Sequence, residues 1–161
     1  MKIDYFSLFL EEISRILSML NGAQIDEVRN KTKLWRNHLV DSIYDDFLPP
    51  FDRRDMLAIV QNLSYLSYEV YAFIKLSSGG AQNFKNELSN AIEALFSETK
   101  KLKHKKCNIL RLKLKGDALL LLWFQAQNSN TKKEICDSIE SIADSYIKLC
   151  DALETAIIVN S

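Results

Sequence analysis

The chain has 161 residues and balances 21 Lys and Arg against 21 Asp and Glu, so no net field draws it to nucleic acid or to a membrane. Hydrophobic residues make up 47% and charged residues 26%, the proportions of one globular domain with a real core. Four glycines and two prolines are sparse punctuation, which favours long helices over many short strands.

The first helix is marked by Phe6, Phe9, Ile13, Ile16 and Leu20, with Asn21-Gly22 placed as its C-cap. Acids at Asp4, Glu11 and Glu12 interrupt what an export signal would need as an apolar core. A second helix is predicted from about Ile25 to Phe47, and a third along Met56, Ile59, Leu63, Leu66, Val70 and Phe73, closed at Ser77 to Gly80. Phe84, Leu88, Ala91 and Leu95 mark a fourth, and a fifth is predicted over Lys105 to Gln127. The sixth follows Asn128 to Thr131, with Ile135, Ile139, Ile142, Tyr146, Leu149 and Leu153 on its seam. No stretch sustains period-two alternation, so the expected fold is all-α, an antiparallel bundle of about six helices. The longest apolar run, Ala118 to Phe124, falls short of the ~20 residues that span a membrane. It is apolar all round its helix, which requires either complete burial or a homo-oligomeric contact through Trp123 and Phe124. Cys107, Cys136 and Cys150 lack paired spacing and read as small apolar residues of a reducing cytoplasm.

Both prolines, Pro49 and Pro50, fall in DDFLPPFDRRDM and must stop the second helix near Phe47. Asp52 then stands where an N-cap belongs, with Asp55 in the first turn of the next helix and Phe51 placed to pack back as a staple. The same order of cap, two cations, acid and apolar residue recurs at Thr131 to Ile135, where Thr131 and Glu134 suggest a capping box. Aligned from there, Met56, Val60, Leu63 and Val70 fall on Ile135, Ile139, Ile142 and Leu149. That register suggests a single domain over 1–161 made of two similar three-helix halves, about 1–79 and 80–161.

The turn with its following helix, FLPPFDRRDMLAIVQNLSYL, resembles the signature of PhoU-like proteins, in particular the branch of phosphate transport regulators that accompany Pit-type permeases. Pro50, Phe51, Asp52, Arg53 and Asp55 carry the likeness, and DYFSLFLEE and KKEICDSIESIADSYIKLCDAL are similar to that branch's first and last helices. The resemblance implies a cytoplasmic PhoU-like bundle, peripheral at most to the inner membrane surface. It further implies an adaptor or regulator on the cytoplasmic face of a phosphate permease or other transporter, not an enzyme. The family's acid pairs on successive helices also imply metal sites. Of these only Glu140 and Asp144 are intact; Asp117 faces Lys113, Arg29 and Lys33 stand in the second helix, and Ser64, Tyr65 and Tyr68 in the third. No cofactor is therefore expected beyond a weakly held divalent or ferric ion. The rival readings are a carboxylate metal-binding enzyme on the same bundle and a degenerate helical protein that oligomerises without metal.

Other chemistry is sparse. His38 and His104 are isolated, no glycine-rich phosphate loop occurs, and Cys107 stands among lysines. Tyr65, Tyr68 and Tyr71 line the edge of the third helix's seam, as core edge or as a partner strip. The segment Lys100 to Lys115 holds eight cations and no acid. Its lysines, Lys101, Lys103, Lys105 and Lys106, could answer the carbonyl end of the fourth helix. They could equally form a docking patch for anionic headgroups or an acidic permease loop. Without interleaved aromatics, nucleic acid is not expected.

Overall fold

Six α-helices, α1 (Tyr5–Leu20), α2 (Ile25–Asp45), α3 (Arg53–Ser77), α4 (Gln82–Thr99), α5 (Ile109–Gln127) and α6 (Lys133–Val159), build the computed structural model, which describes residues 2–160. No strand occurs among the described residues, and none of their helices is long and apolar enough to cross a membrane. Successive helices run antiparallel, as their end contacts show. Tyr5 at the start of α1 donates to the Ser42 carbonyl and the Asp46 carboxylate at the end of α2. Tyr71 late in α3 donates to Asp26 at the start of α2, and Lys113 early in α5 pairs with Glu154 late in α6.

The two longest helices, α3 and α6, pack on each other most extensively. From this spine the contacts run from α3 to α2 and α1, from α6 to α5, and onward from α5 through α4 to α1. Phe9, Ile16, Leu39, Met56, Leu63, Phe73, Leu88, Leu95, Ile142 and Tyr146 are buried in one continuous core. The helical seams predict this directly, because each predicted apolar stripe is the face its helix buries.

The ends need closer attention. Gly22 takes the left-handed conformation that favours glycine (φ 94°), and its amide and that of Ala23 donate back to Met19 and Ser18, completing a Schellman cap. Helix α2 stops at Asp45, two residues earlier than expected, because Asp46 turns its carboxylate onto the Leu48 amide ahead of the prolines. Helix α5 begins at Ile109 rather than Lys105. A short 3-10 turn, η1 (Leu102–His104), and Lys105 in the left-handed region (φ 56°) break the chain first. Asn108 then caps α5 by accepting the Arg111 amide. Neither expected carboxylate or hydroxyl cap forms at α3 or α6: Asp52 and Lys132 occupy the cap positions, and neither side chain accepts an amide of its helix. Thr131 instead pairs its hydroxyl with Ser129, and Glu134 remains exposed.

Candidate functional site

The turn after α2, the basic loop after α4 and the end of α6 meet at one end of the bundle, and Asn160 ties them together. Its Oδ1 accepts the Asp52 amide at 3.0 Å, and its Nδ2 donates to the buried Asp55 carboxylate at 3.1 Å. Its own carbonyl accepts the Lys105 ammonium. Arg53 reaches the other way, donating from Nε to the Ile43 carbonyl at 3.2 Å and from Nη2 to the Asp46 carbonyl. It therefore answers the open carbonyl end of α2. Phe51 is buried and meets Phe6 of α1 edge to face at 5.7 Å. Of the turn residues carrying the family likeness, Phe51, Arg53 and Asp55 are thus structural, while Pro50 and Asp52 are exposed.

What this end offers to the outside is apolar. Phe47 is 88% exposed and Leu48 is 74% exposed, side by side at the tip of the turn. Asp41, Asp45 and Lys2 border Phe47 in a shallow cleft. On the other side of Asn160 the basic loop divides into two classes. Lys101, Lys103, Lys105 and Lys106 are all exposed. Lys101 pairs with the buried Glu98 at 3.4 Å and Lys105 is held on Asn160. Lys103 acts only through its charge, which helps hold the Asp4 carboxyl low, and Lys106 makes no hydrogen bond or ion pair among the described residues. Lys100 lies over the Phe96 ring at 4.6 Å.

Glu98 is the acid that the basic segment itself lacks. Buried at the end of α4, it accepts the Asn108 amide at 2.8 Å and the Arg111 guanidinium at 2.7 Å besides Lys101. Burial pushes its carboxyl up, but the Asn108 amide, Arg111 and Lys101 together outweigh it and hold the group below the usual carboxylate range. Cys107 beside it is pushed up to about 11 by burial and by the Glu98 charge, which leaves a thiol rather than a nucleophilic thiolate. His104 is exposed in η1 and completes no catalytic pair.

The carboxylates implied by the family likeness lie apart from this end. Glu140 and Asp144 are exposed on α6, where Asp144 pairs with Lys148 at 2.9 Å, and Asp117 is exposed on α5. Among the described residues no three His, Cys, Asp or Glu side chains come together as a metal would require. Tyr71 is held by Asp26 at 2.8 Å, with Arg29 and Lys75 over its ring, and Tyr65 accepts from Gln61. Tyr71 is therefore an edge of the α2–α3 contact, whereas Tyr65 is 50% exposed and bonded only within its own helix.

Besides Glu98, sequence reasoning missed a second buried polar centre. Glu12 of α1, wholly buried, accepts the Thr32 hydroxyl of α2 at 2.6 Å, the Ser67 hydroxyl of α3 at 2.7 Å and Arg15 Nε at 2.7 Å. The signal was present: Glu12 stands in the seam between Phe9 and Ile13. Its donors make it a fixed joint of three helices with no open side for a ligand.

No protein-family model matches the chain, and no curated protein matches it either.

Proposed function

We propose that this chain is a PhoU-like regulatory adaptor that docks on the cytoplasmic face of a phosphate permease, and that it is not an enzyme. The observation that carries the reading is the docking end itself. An exposed apolar tip, Phe47 and Leu48, is held on a turn braced by Arg53 and Asn160, and the basic loop that carries Lys103 and Lys106 is tied to the same Asn160 through Lys105. Apolar contact at the centre with charges of both signs around it is the make-up of a protein interface. Asp41 and Asp45 beside Phe47 would repel an anionic bilayer, which favours a protein partner carrying its own mixed charges over lipid headgroups.

The test is co-purification of the tagged chain with a Pit-type permease from membranes in mild detergent. The permease is expected with the wild type, and its recovery should be lost when Phe47→Ser and Leu48→Ser are combined with Lys103→Gln and Lys106→Gln. All four positions are exposed, so far-UV circular dichroism should be unchanged. Absence of any permease, or equal recovery with the variant, overturns the reading.

A further inference from the structure

Complete burial of the Ala118–Phe124 run, one of the two outcomes expected from sequence, does not occur, since Leu121 and Phe124 are 58% and 59% exposed on α5. The connection between α1 and α2, at the end of the bundle away from Asn160, carries a reactive group of its own. Asn21 is followed by Gly22, and no other asparagine in the sequence precedes a glycine. An asparagine side chain is an electrophile at Cγ. The backbone nitrogen of the next residue, once deprotonated, is the nucleophile that can close a five-membered imide on it. A side chain on that next residue hinders closure, and glycine has none. Space is open there too, because a Cβ at Gly22 would meet no atom within 4 Å. Asn21 is exposed, and its side chain makes no hydrogen bond among the described residues. The asparagines that precede serine are better held. Asn128 donates from Nδ2 to the Phe124 carbonyl at 3.0 Å, and Asn160 donates from Nδ2 to Asp55 and to the Ala156 carbonyl.

The helix cap opposes this reaction. The Gly22 amide that must lose its proton is donated to the Met19 carbonyl at 3.2 Å, and the neighbouring Ala23 amide to the Ser18 carbonyl at 2.9 Å. The Asn21 backbone, at ψ 10°, also turns the Gly22 nitrogen away from the Asn21 side chain. Ring closure therefore requires the cap to open first, and helix ends open at low cost. We infer that Asn21 is a site of spontaneous deamidation, gated by opening of the α1 cap. Solvent base removes the Gly22 amide proton, and the nitrogen attacks Asn21 Cγ. The N–Cγ bond forms, the Cγ–Nδ2 bond breaks, and Nδ2 takes a proton from solvent and leaves as ammonia. Water then opens the imide. Attack at Cγ leaves aspartate, and attack at the Asn21 main-chain carbonyl leaves isoaspartate, which adds a methylene to the backbone of the connection. Either product sets a new carboxylate at the negative end of α1, where the helix dipole disfavours it. The inference is independent of the permease reading, since Asn21 and Gly22 lie at the opposite end of the bundle.

The test incubates the whole chain in mildly alkaline buffer, folded or unfolded in guanidinium chloride, and follows each asparagine by peptide mapping with mass spectrometry. Asn21 is expected to convert ahead of every other asparagine in both states, with isoaspartate among the products, and more slowly when folded. Loss of the Gly22 amide proton also starts that amide's exchange with deuterium, so the same opening governs both processes. Folding should slow conversion of Asn21 by at least the factor by which it slows Gly22 exchange, because closure needs rotation about Asn21 besides a free amide. Another asparagine converting ahead of Asn21 in the folded chain overturns the inference. So do equal rates in the folded and unfolded chains, and so does a slowing of conversion smaller than that of Gly22 exchange.

Discussion

Asp52 and Asn160 divide the work of the proline turn in a way that reverses the expectation from sequence. Asp52 has the position and the chemistry of an N-cap, yet its side chain accepts no amide of α3 and lies in solvent. Its backbone is used instead, the amide by Asn160 and the carbonyl by the Met56 amide of α3. Asp52→Ala should therefore shift stability by less than about 0.5 kcal/mol, as for an ordinary surface substitution. Asn160→Ala removes the acceptor of that amide and leaves the buried Asp55 carboxylate without its Nδ2 donor, a loss of about 2 kcal/mol. Urea unfolding of the two variants compares them, and a larger loss for Asp52→Ala would return the cap to Asp52. The same lesson applies at Glu98 and Glu12. Both carboxylates are buried, and both are satisfied by partners distant in sequence, Arg111 for one and Thr32 and Ser67 for the other. Residue type marks such groups as needing partners, but not where the partners come from.

Among the elements, the seams of α1, α3, α4 and α6 were legible because a 3.6-residue apolar period has no competing explanation at that length. Starts and stops were less so. Run through as helix, Lys100 to Lys106 would crowd like charges along successive turns, and Glu98 instead draws Lys101, Asn108 and Arg111 around itself, setting the start of α5 at Ile109. That tertiary preference overrides local propensity. The two halves expected from sequence place one pair of hydrogen bonds at matching positions. In the register that sets Asp52 over Thr131, Ser67 falls on Tyr146 and Glu12 on Ala91, and each first-named residue donates to the second helix position across 55 residues: Ser67 to the Glu12 carboxylate, Tyr146 to the Ala91 carbonyl. The α5–α6 contact has its own requirement at Gly116, where a Cβ would lie 2.9 Å from Ile147 Cγ1 and 3.4 Å from Tyr146 Cδ1. Gly116→Leu should therefore push α5 off α6 and cost about 2 kcal/mol or more through overpacking, despite leucine's better helix propensity. A melting temperature equal to the wild type would show that α6 yields at this point.

At the scale of the whole molecule, zero net charge conceals a polar arrangement that the sequence reveals only in part. The cluster Lys100 to Lys115 was visible, but which of its cations remain available depended on where Glu98 and Asn160 lie in space. The four lysines singled out from sequence therefore separate into two pairs with opposite expected behaviour. Lys101 and Lys105 hold the basic loop to α4 and to the end of α6, so Lys101→Gln with Lys105→Gln should lower the melting temperature by loosening that end of the bundle. Lys103 and Lys106 are exposed and make no such tie, so Lys103→Gln with Lys106→Gln should leave melting unchanged. If the end docks through complementary charge, the second pair should weaken permease binding, and the wild type's advantage over it should shrink as ionic strength rises and screens the exposed ammonium groups. Thermal melts of both variants, with permease binding measured at low and high salt, resolve the two roles. A fall in melting temperature for Lys103→Gln with Lys106→Gln would make these lysines structural. Binding equal to wild type at low salt would instead leave docking to Phe47 and Leu48 alone.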